Sequence, residues 1–431
     1  MVNKKISKML GPVLGIMGFM LTIGVLEIPV SANDNVQANS VYCEGANFTD
    51  CKYYSININK TVVQNGFKVT LDKVTATKHK LKVIVKVESE KPFDKEKYEN
   101  SIVQVTFGEN CCNGGGKSSE YINDNTLLIT IDEDSDEEEY PEKGELRVDV
   151  VFPTYKVNVG IDANVDFSES FKNTMEKEVS AKIPEFDFTL NKLQSDIWGT
   201  RIVYSGYRRD YSERENDPAE SRYSSMILKI GDRMYKTRAA GSHSSGNGGN
   251  DRLITGIYEA EAATYERIKD AKDISIIPVV CDMSSDEANK IYEDNQKNGY
   301  NEKRNVNKET TNNVNYIKVF KFSDGSKGEI YNIERNDNTV KVYCKGNSEK
   351  ESLLMASNMF AYYNIGEDKL GYNNIYDSSR HMSFYKDSSD DLGYVVELNN
   401  VEKDKVLEID FESMISKIDR YKIGDAIQVS R

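Results

Sequence analysis

Three histidines in 431 residues, none in a His-Glu-x-x-His arrangement, and six cysteines without a Cys-x-x-Cys pair leave no local framework for zinc. The Gly-x-Ser-x-Gly elbow of a serine hydrolase is absent too. Positive charge is scarce: 56 lysines and arginines face 70 aspartates and glutamates, and the net charge of −14 disfavours nucleic acid and anionic lipid as partners. Long apolar runs are equally rare. Only residues 9–26 approach the roughly 20 apolar residues that a membrane-spanning helix needs.

What the N-terminus does hold is an export pattern. Lys4, Lys5 and Lys8 precede the apolar run, and Pro29-Val30-Ser31-Ala32 leads into polar Asn33-Asp34-Asn35. Two readings stand for residues 1–32: a signal peptide cut after Ala32, or an uncleaved anchor whose membrane contact is residues 9–32. Either places the rest of the chain outside the cytoplasm, secreted or attached to the outer face of the membrane. In such a compartment cysteines normally pair. Cys111 and Cys112 are adjacent, which strains a bridge between them, and Cys281 and Cys344 end apolar stretches. A Cys43–Cys51 bridge and six free thiols both remain open.

About 400 residues exceed what one core usually organises. The tyrosines (26), valines and isoleucines set among Asn, Asp, Ser and Gly favour strands. A repeat is visible: Phe67-Lys68-Val69-Thr70-Leu71-Asp72-Lys73-Val74 returns 119 residues later as Phe186-Asp187-Phe188-Thr189-Leu190-Asn191-Lys192-Leu193, with four identities. Leu81, Val83 and Val85 match Thr200, Ile202 and Tyr204 at the same offset. A fainter third copy runs through Ile330-Tyr331-Asn332-Ile333 and Val340 to Cys344. Period-two alternation makes each of these a strand with one face on a core. The expected fold is all-β: about three tandem immunoglobulin-like β-sandwich domains after the N-terminal signal or anchor. The expected boundaries are 53–159 for the first sandwich, 160–183 for a connector with a short helix, 184–283 for the second sandwich, 284–313 for a polar linker with one helical turn, and 314–431 for the third.

The string from Ser55 to Val74, with its Asn65-Gly66 turn, followed by Leu81-Lys82-Val83, resembles a family of uncharacterised extracytoplasmic β domains common in low-GC Gram-positive bacteria. In that family the domain follows one membrane segment and precedes a second β domain, which here would start at Phe186. The resemblance implies a relation to membrane-anchored anti-sigma factors and other negative regulators, and it brings no catalytic residues. At most about a dozen residues could remain in the cytoplasm, too few for a domain, so the part implied here is the exported sensing or binding one.

Candidate chemistry is sparse. Cys111 to Ser118 ends in Gly-Lys-Ser as a phosphate loop does, yet Cys111 replaces its first glycine and residues 127–131 read as a strand where a helix is required. A glycine-rich hairpin loop fits better. His243 lies in a Gly/Ser/Asn-rich stretch that reads as a loop, and His79 and His381 stand apart from it. Asp132, Asp134 and Asp136 alternate, but lack the glycine that turns a calcium loop; the run to Glu139 reads as a solvated hairpin tip. Tyr204, Tyr207, Arg208, Arg209 and Tyr211, and later Tyr362, Tyr363, Tyr372, Tyr376 and Tyr385, suit either a contact surface or sheet packing. No catalytic, cofactor-binding or metal-binding residue is assigned and no cofactor is expected. The expected function is non-enzymatic: binding or sensing of a protein or cell-wall ligand at the cell surface, with a membrane-tethered envelope-stress regulator and a cell-wall enzyme as alternatives.

Overall fold

The computed structural model describes residues 54–429 apart from 95–100, 109, 113–115, 136–138, 209–223, 246–251, 285, 288, 292, 294–307 and 364–375. The expectations for residues 1–32 and for Cys43 and Cys51 lie outside the described residues. Among the described residues no helix is long and apolar enough to cross a membrane.

The described residues are all-β, in sheets whose strands pair antiparallel except for Val314–Tyr316, which runs parallel to Leu407–Ile409. Its first copy contains β1 (Ile56–Gln64), β2 (Phe67–Ala76), β3 (Lys80–Ser89), β4 (Ile102–Phe107), β5 (Asn110–Cys112), β6 (Lys117–Asn123), β7 (Thr126–Asp134), β8 (Lys143–Phe152) and β9 (Val157–Asp166). One sheet has the order β1-β2-β3-β7-β6 and the other β5-β4-β8-β9. Between them lies a single apolar cluster that includes Leu71, Val83 and Ile129 from the first sheet and Val105, Val148 and Ile161 from the second. Each such fully buried side chain contributes about 1.5–3 kcal/mol relative to exposure.

Asp72 is a bulge. The β2–β3 register steps from Leu71↔Val85 to Lys73↔Ile84. An apolar step of three, Leu71 to Val74, would throw Val74 to the wrong face of an uninterrupted strand; the extra residue returns it to the core. The second copy repeats the device. Its β10 (Met175–Ile183), β11 (Phe188–Asp196) and β12 (Gly199–Arg208) form the same meander, with the shift between Leu190↔Tyr204 and Lys192↔Val203 and with Leu190 and Leu193 both buried. All four of these paired positions lie 119 residues beyond their counterparts, as the sequence repeat requires.

The second copy continues with β13 (Ser225–Ile230), β14 (Arg233–Lys236), β15 (Arg238–Ser245), β16 (Arg252–Ala260) and β17 (Ile274–Cys281). Its sheet order β10-β11-β12-β16-β15 matches the first copy strand for strand. The third copy comprises β18 (Lys308–Thr311), β19 (Val314–Ile317), β20 (Val319–Lys321), β21 (Lys327–Asn336), β22 (Thr339–Lys345), β23 (Met359–Tyr363), β24 (Met382–Lys386), β25 (Tyr394–Leu398) and β26 (Leu407–Phe411). The order β20-β21-β22-β25-β24 recurs, and so does the bulge, between Ile330↔Cys344 and Asn332↔Tyr343. An immunoglobulin domain sends its third strand to the opposite sheet. Here the bulged three-strand meander stays side by side in one sheet in every copy, as β1-β2-β3, β10-β11-β12 and β20-β21-β22.

Several boundaries move. Most of the expected connector at 160–183 is strand, because Val157, Val159, Ile161, Ala163 and Val165 alternate strictly with polar residues and close the first core as β9, while β10 opens the second copy. Only 167–174 connects them, with the helical turn α1 (Ser168–Phe171). In the expected linker at 284–313, residues 286–287 and 289–291 are helical, and Lys308–Thr311 is a strand paired with β19. The second and third copies are not separate sandwiches. Met234 of β14 pairs with Phe384 of β24, so one ten-stranded sheet runs through both. Strands β27 (Tyr421–Ile423) and β28 (Ile427–Gln428) return from the C-terminus to pair with β17. Cys281 and Cys344 are buried thiols in one core, and burial pushes the Cys344 pKa up to about 12.

Candidate functional site

The tight turn between β2 and β3, held by the Thr77 N–H donating to the Lys80 carbonyl at 2.8 Å, carries Lys78, His79 and Lys80 towards the second copy. Strand registers then bring opposite charges face to face. Lys80 lies opposite Asp134 across β3 and β7, Arg201 opposite Glu259 across β12 and β16, and Arg238 opposite the same Glu259 across β15 and β16. Glu261 follows directly after β16. Arg380 arrives from the third copy on α2 (Ser378–His381), the next helical turn to bear on the site.

The resulting contacts form one network. Lys80 Nζ is 3.3 Å from Asp134, Arg201 Nε 3.8 Å from Glu259, and Arg238 3.2 Å from Glu259 and 2.5 Å from Glu261. Arg380 donates to Glu261 at 2.8 Å and lies 4.0 Å from Asp132. These groups are removed from water: Lys80, Arg201, Glu259 and Glu261 are 8%, 9%, 5% and 8% exposed. They line one cleft, with Asp196 and Trp198 on its wall. Lys82 Nζ stands 5.7 Å over the ring of Trp198, the only tryptophan in the chain.

Burial and charge pull the groups apart. Burial opposes the Lys80 ammonium, but Glu259, Asp134, Asp132 and Glu261 outweigh it and raise its pKa. Burial raises the Glu259 carboxyl above its ordinary value, against Lys80 and the arginines. For Glu261 burial acts the same way, yet the Arg380 hydrogen bond and the surrounding cations hold it below. Asp196 keeps some open surface, but its carboxyl is enclosed and raised by burial even while it accepts the Trp198 N–H at 2.7 Å.

His79 adjoins the network and shares a 2.8 Å hydrogen bond with Gln194 of the second copy. With Glu139 and Glu176 it forms a trio whose ligand atoms lie within 4.8 Å of one another. Lys78 already neutralises this group, 2.8 Å from Glu176 and 3.5 Å from Glu139, so an ammonium holds the place a cation would take. Burial, then Arg201, lowers the His79 pKa, and burial lowers that of His381. Both rings are expected to titrate with midpoints below the ordinary 6.5 in an NMR titration. The sign follows: neutral imidazole is the form the fold accepts, so the structure is unpenalised above pH 6.5 and loses stability as pH falls towards the lowered values. Either ring titrating at or above 6.5 would contradict this placement.

The other candidates fall elsewhere. Lys117–Asn123 is a strand, so no helix follows the Gly-Lys-Ser, and 113–115 lie outside the described residues. His243 is in β15, paired with Thr255, rather than in a loop. Asp132 and Asp134 belong to β7 and to the charge network, with Asp134 still exposed to solvent; Asp136 lies outside the described residues. Tyr204 is buried and stacks on Phe188 at 4.2 Å, Tyr363 and Tyr376 are buried together, and Arg233 covers Tyr385 at 5.1 Å. Lys308 Nζ is 6.0 Å from the Tyr362 ring. Tyr207 and Arg208 are in β12; Arg209, Tyr211 and Tyr372 lie outside the described residues. Sequence reasoning missed Lys80, Arg201, Glu259, Glu261 and Arg380, since no local spacing joins them.

The class defined so far is an all-β protein of stacked, mostly antiparallel sheets with a buried charge network where its copies meet. No family model and no curated protein matches the chain. Among solved structures it is similar to a conserved domain protein from Bacillus anthracis, at 15% identity and TM-score 0.37, over 55% of this chain and 81% of that one. It is also similar to an uncharacterised protein from Listeria monocytogenes EGD-e, solved with α-D-glucose, β-D-glucose, magnesium and calcium, at 8% identity and TM-score 0.15, over 82% of this chain and 29% of that one.

Proposed function

We propose that this chain is a non-enzymatic binding or sensing protein of the cell exterior, secreted or held to the membrane by residues 9–32, whose ligand is a protein or a cell-wall polymer. In this reading the three copies are sandwich modules, immunoglobulin-like in size and two-sheet build though not in strand order. The observation that carries it is the use of the charges: Asp134, Glu259 and Glu261 of the cleft are matched by Lys80, Arg201, Arg238 and Arg380 in a structural network rather than standing free as an acid and a base. The test incubates the full chain with purified cell walls and, separately, with solubilised envelope proteins. Retention of the chain on walls, or of one stoichiometric envelope protein on the chain, is expected. Release of soluble wall fragments would overturn the reading in favour of an enzyme.

A further inference from the structure

The three copies are not joined alike. The second and third share a continuous sheet, and the third core takes in Ile227, Met234, Val279 and Cys281 from strands of the second copy. The first core draws every residue from 56–167 and contributes none to the other two. Covalently it is tied on through 167–174 alone.

Among the described residues, a run of polar contacts crosses from the first copy. Lys78 reaches Glu176, His79 meets Gln194, Arg201 donates to the Ser135 carbonyl at 3.4 Å, Arg380 approaches Asp132, and Lys82 covers Trp198. Lys80 adds its field to Glu259 and Glu261. Tyr54, at the chain's entry into the first copy, lies in the field of Glu266 and Lys269. Such a junction is balanced differently from an apolar one. Taking charges out of water offsets most of what their attraction returns, so the intact network holds weakly, whereas the loss of one member leaves its partners buried and unpaired.

We infer that the first copy is a releasable module, docked on the other two by this ionic latch and able to swing as a rigid body about 167–174 when the latch is broken. The groups facing Glu259 and Glu261 are Lys80, Asp132 and Asp134 from β3 and β7, Arg201 and Arg238 from β12 and β15, and Asp377, Arg380 and His381 from the third copy. With Glu259 and Glu261 that set already holds one carboxylate more than its permanent cations, so removing Lys80 deepens the excess, and docking is the state that confines it. Release uncovers the Trp198 edge and the charged ledge of the second copy. The inference concerns how the copies are held and does not rest on the binding reading.

The test is Lys80→Met in the full chain, with Arg201→Met approaching the same latch from the other side. Small-angle scattering, quenching of Trp198 and hydrogen exchange are compared with the unaltered protein. A larger scattering radius, a red-shifted and more quenchable Trp198, and faster exchange in residues 77–80 and 196–201, with the β2, β3 and β7 amides still protected, are expected of both variants. Unchanged scattering and quenching in variants that remain folded would overturn the latch. Loss of protection in β2 and β3 together with release, in both variants, would overturn it too, since the first copy would then not be an autonomous module.

Discussion

Replacing Ile276 with alanine lowers the free energy of unfolding by about 2–5 kcal/mol, and the loss falls on the second and third copies together. Ile276 has no exposed surface. It sits in β17, which with β13 forms a wall between two cores. Leu228, Ile276 and Val280 belong to the second core, while Ile227, Val279 and Cys281 belong to the third, and Ile277 packs against the third as well. A cavity on one face of a strand buried on both sides is relaxed only by moving the strand, and that movement is felt on the other face. Urea unfolding gives the magnitude. Hydrogen exchange gives the distribution: amides of β21 and β22 should accelerate along with those of β11 and β12, while β2 and β3 of the first copy keep their rates. Acceleration confined to the second copy would remove the shared wall from the account.

The strands of that wall were legible in the amino-acid pattern; the wall was not. Ser225 to Ile230 and Ile274 to Val280 read as strands because β-branched and apolar residues cluster there between turn formers. A run buried on both faces looks the same whether its second face meets a helix, a sheet or another copy of the fold. What joins the copies is the Met234↔Phe384 pairing, 150 residues apart and without any local signature. The repeat itself was visible for a physical reason, since a step of three between Leu71 and Val74, Leu190 and Leu193, and Ile330 and Ile333 suits a strand only if a bulge is present in each copy. The charge network stayed hidden because Lys80, Glu259 and Glu261 occupy positions that, in a single isolated sandwich, would face water. Only docking of one copy on the others turns those solvent positions into buried ones. The connector was drawn too wide for a simpler reason: the expected helical turn is there as α1, but the regular alternation of 157–165 beside it carried the stronger signal.

Gly199→Ala should cost about 2–6 kcal/mol, the sum of about 1–3 for a strained backbone and about 1–3 for crowding. Gly199 opens β12 with φ at +139°, a conformation that side chains disfavour. A Cβ there would lie 2.6 Å from the Glu261 Cα and 2.8 Å from the Ala260 carbonyl oxygen. Both are backbone atoms, so no rotamer change relieves the overlap; either the β11–β12 turn lifts or the segment after β16 retreats. Retreat drags Glu261 from Arg238 and Arg380, and it loosens the Thr200 hydroxyl that donates to the Ala263 carbonyl at 2.5 Å. The neighbouring Trp198 reports the displacement as a change in emission before unfolding begins. Gly231 supplies the comparison, for its φ is also positive, at +56°, but nothing lies within 4 Å of where a Cβ would stand. Gly231→Ala should therefore lose only the conformational part, about 1 kcal/mol, and leave Trp198 emission unchanged. If the two substitutions destabilise equally, crowding against Glu261 is not what Gly199 avoids, and the close approach of the β11–β12 turn to the charge network plays no part in holding the network in place.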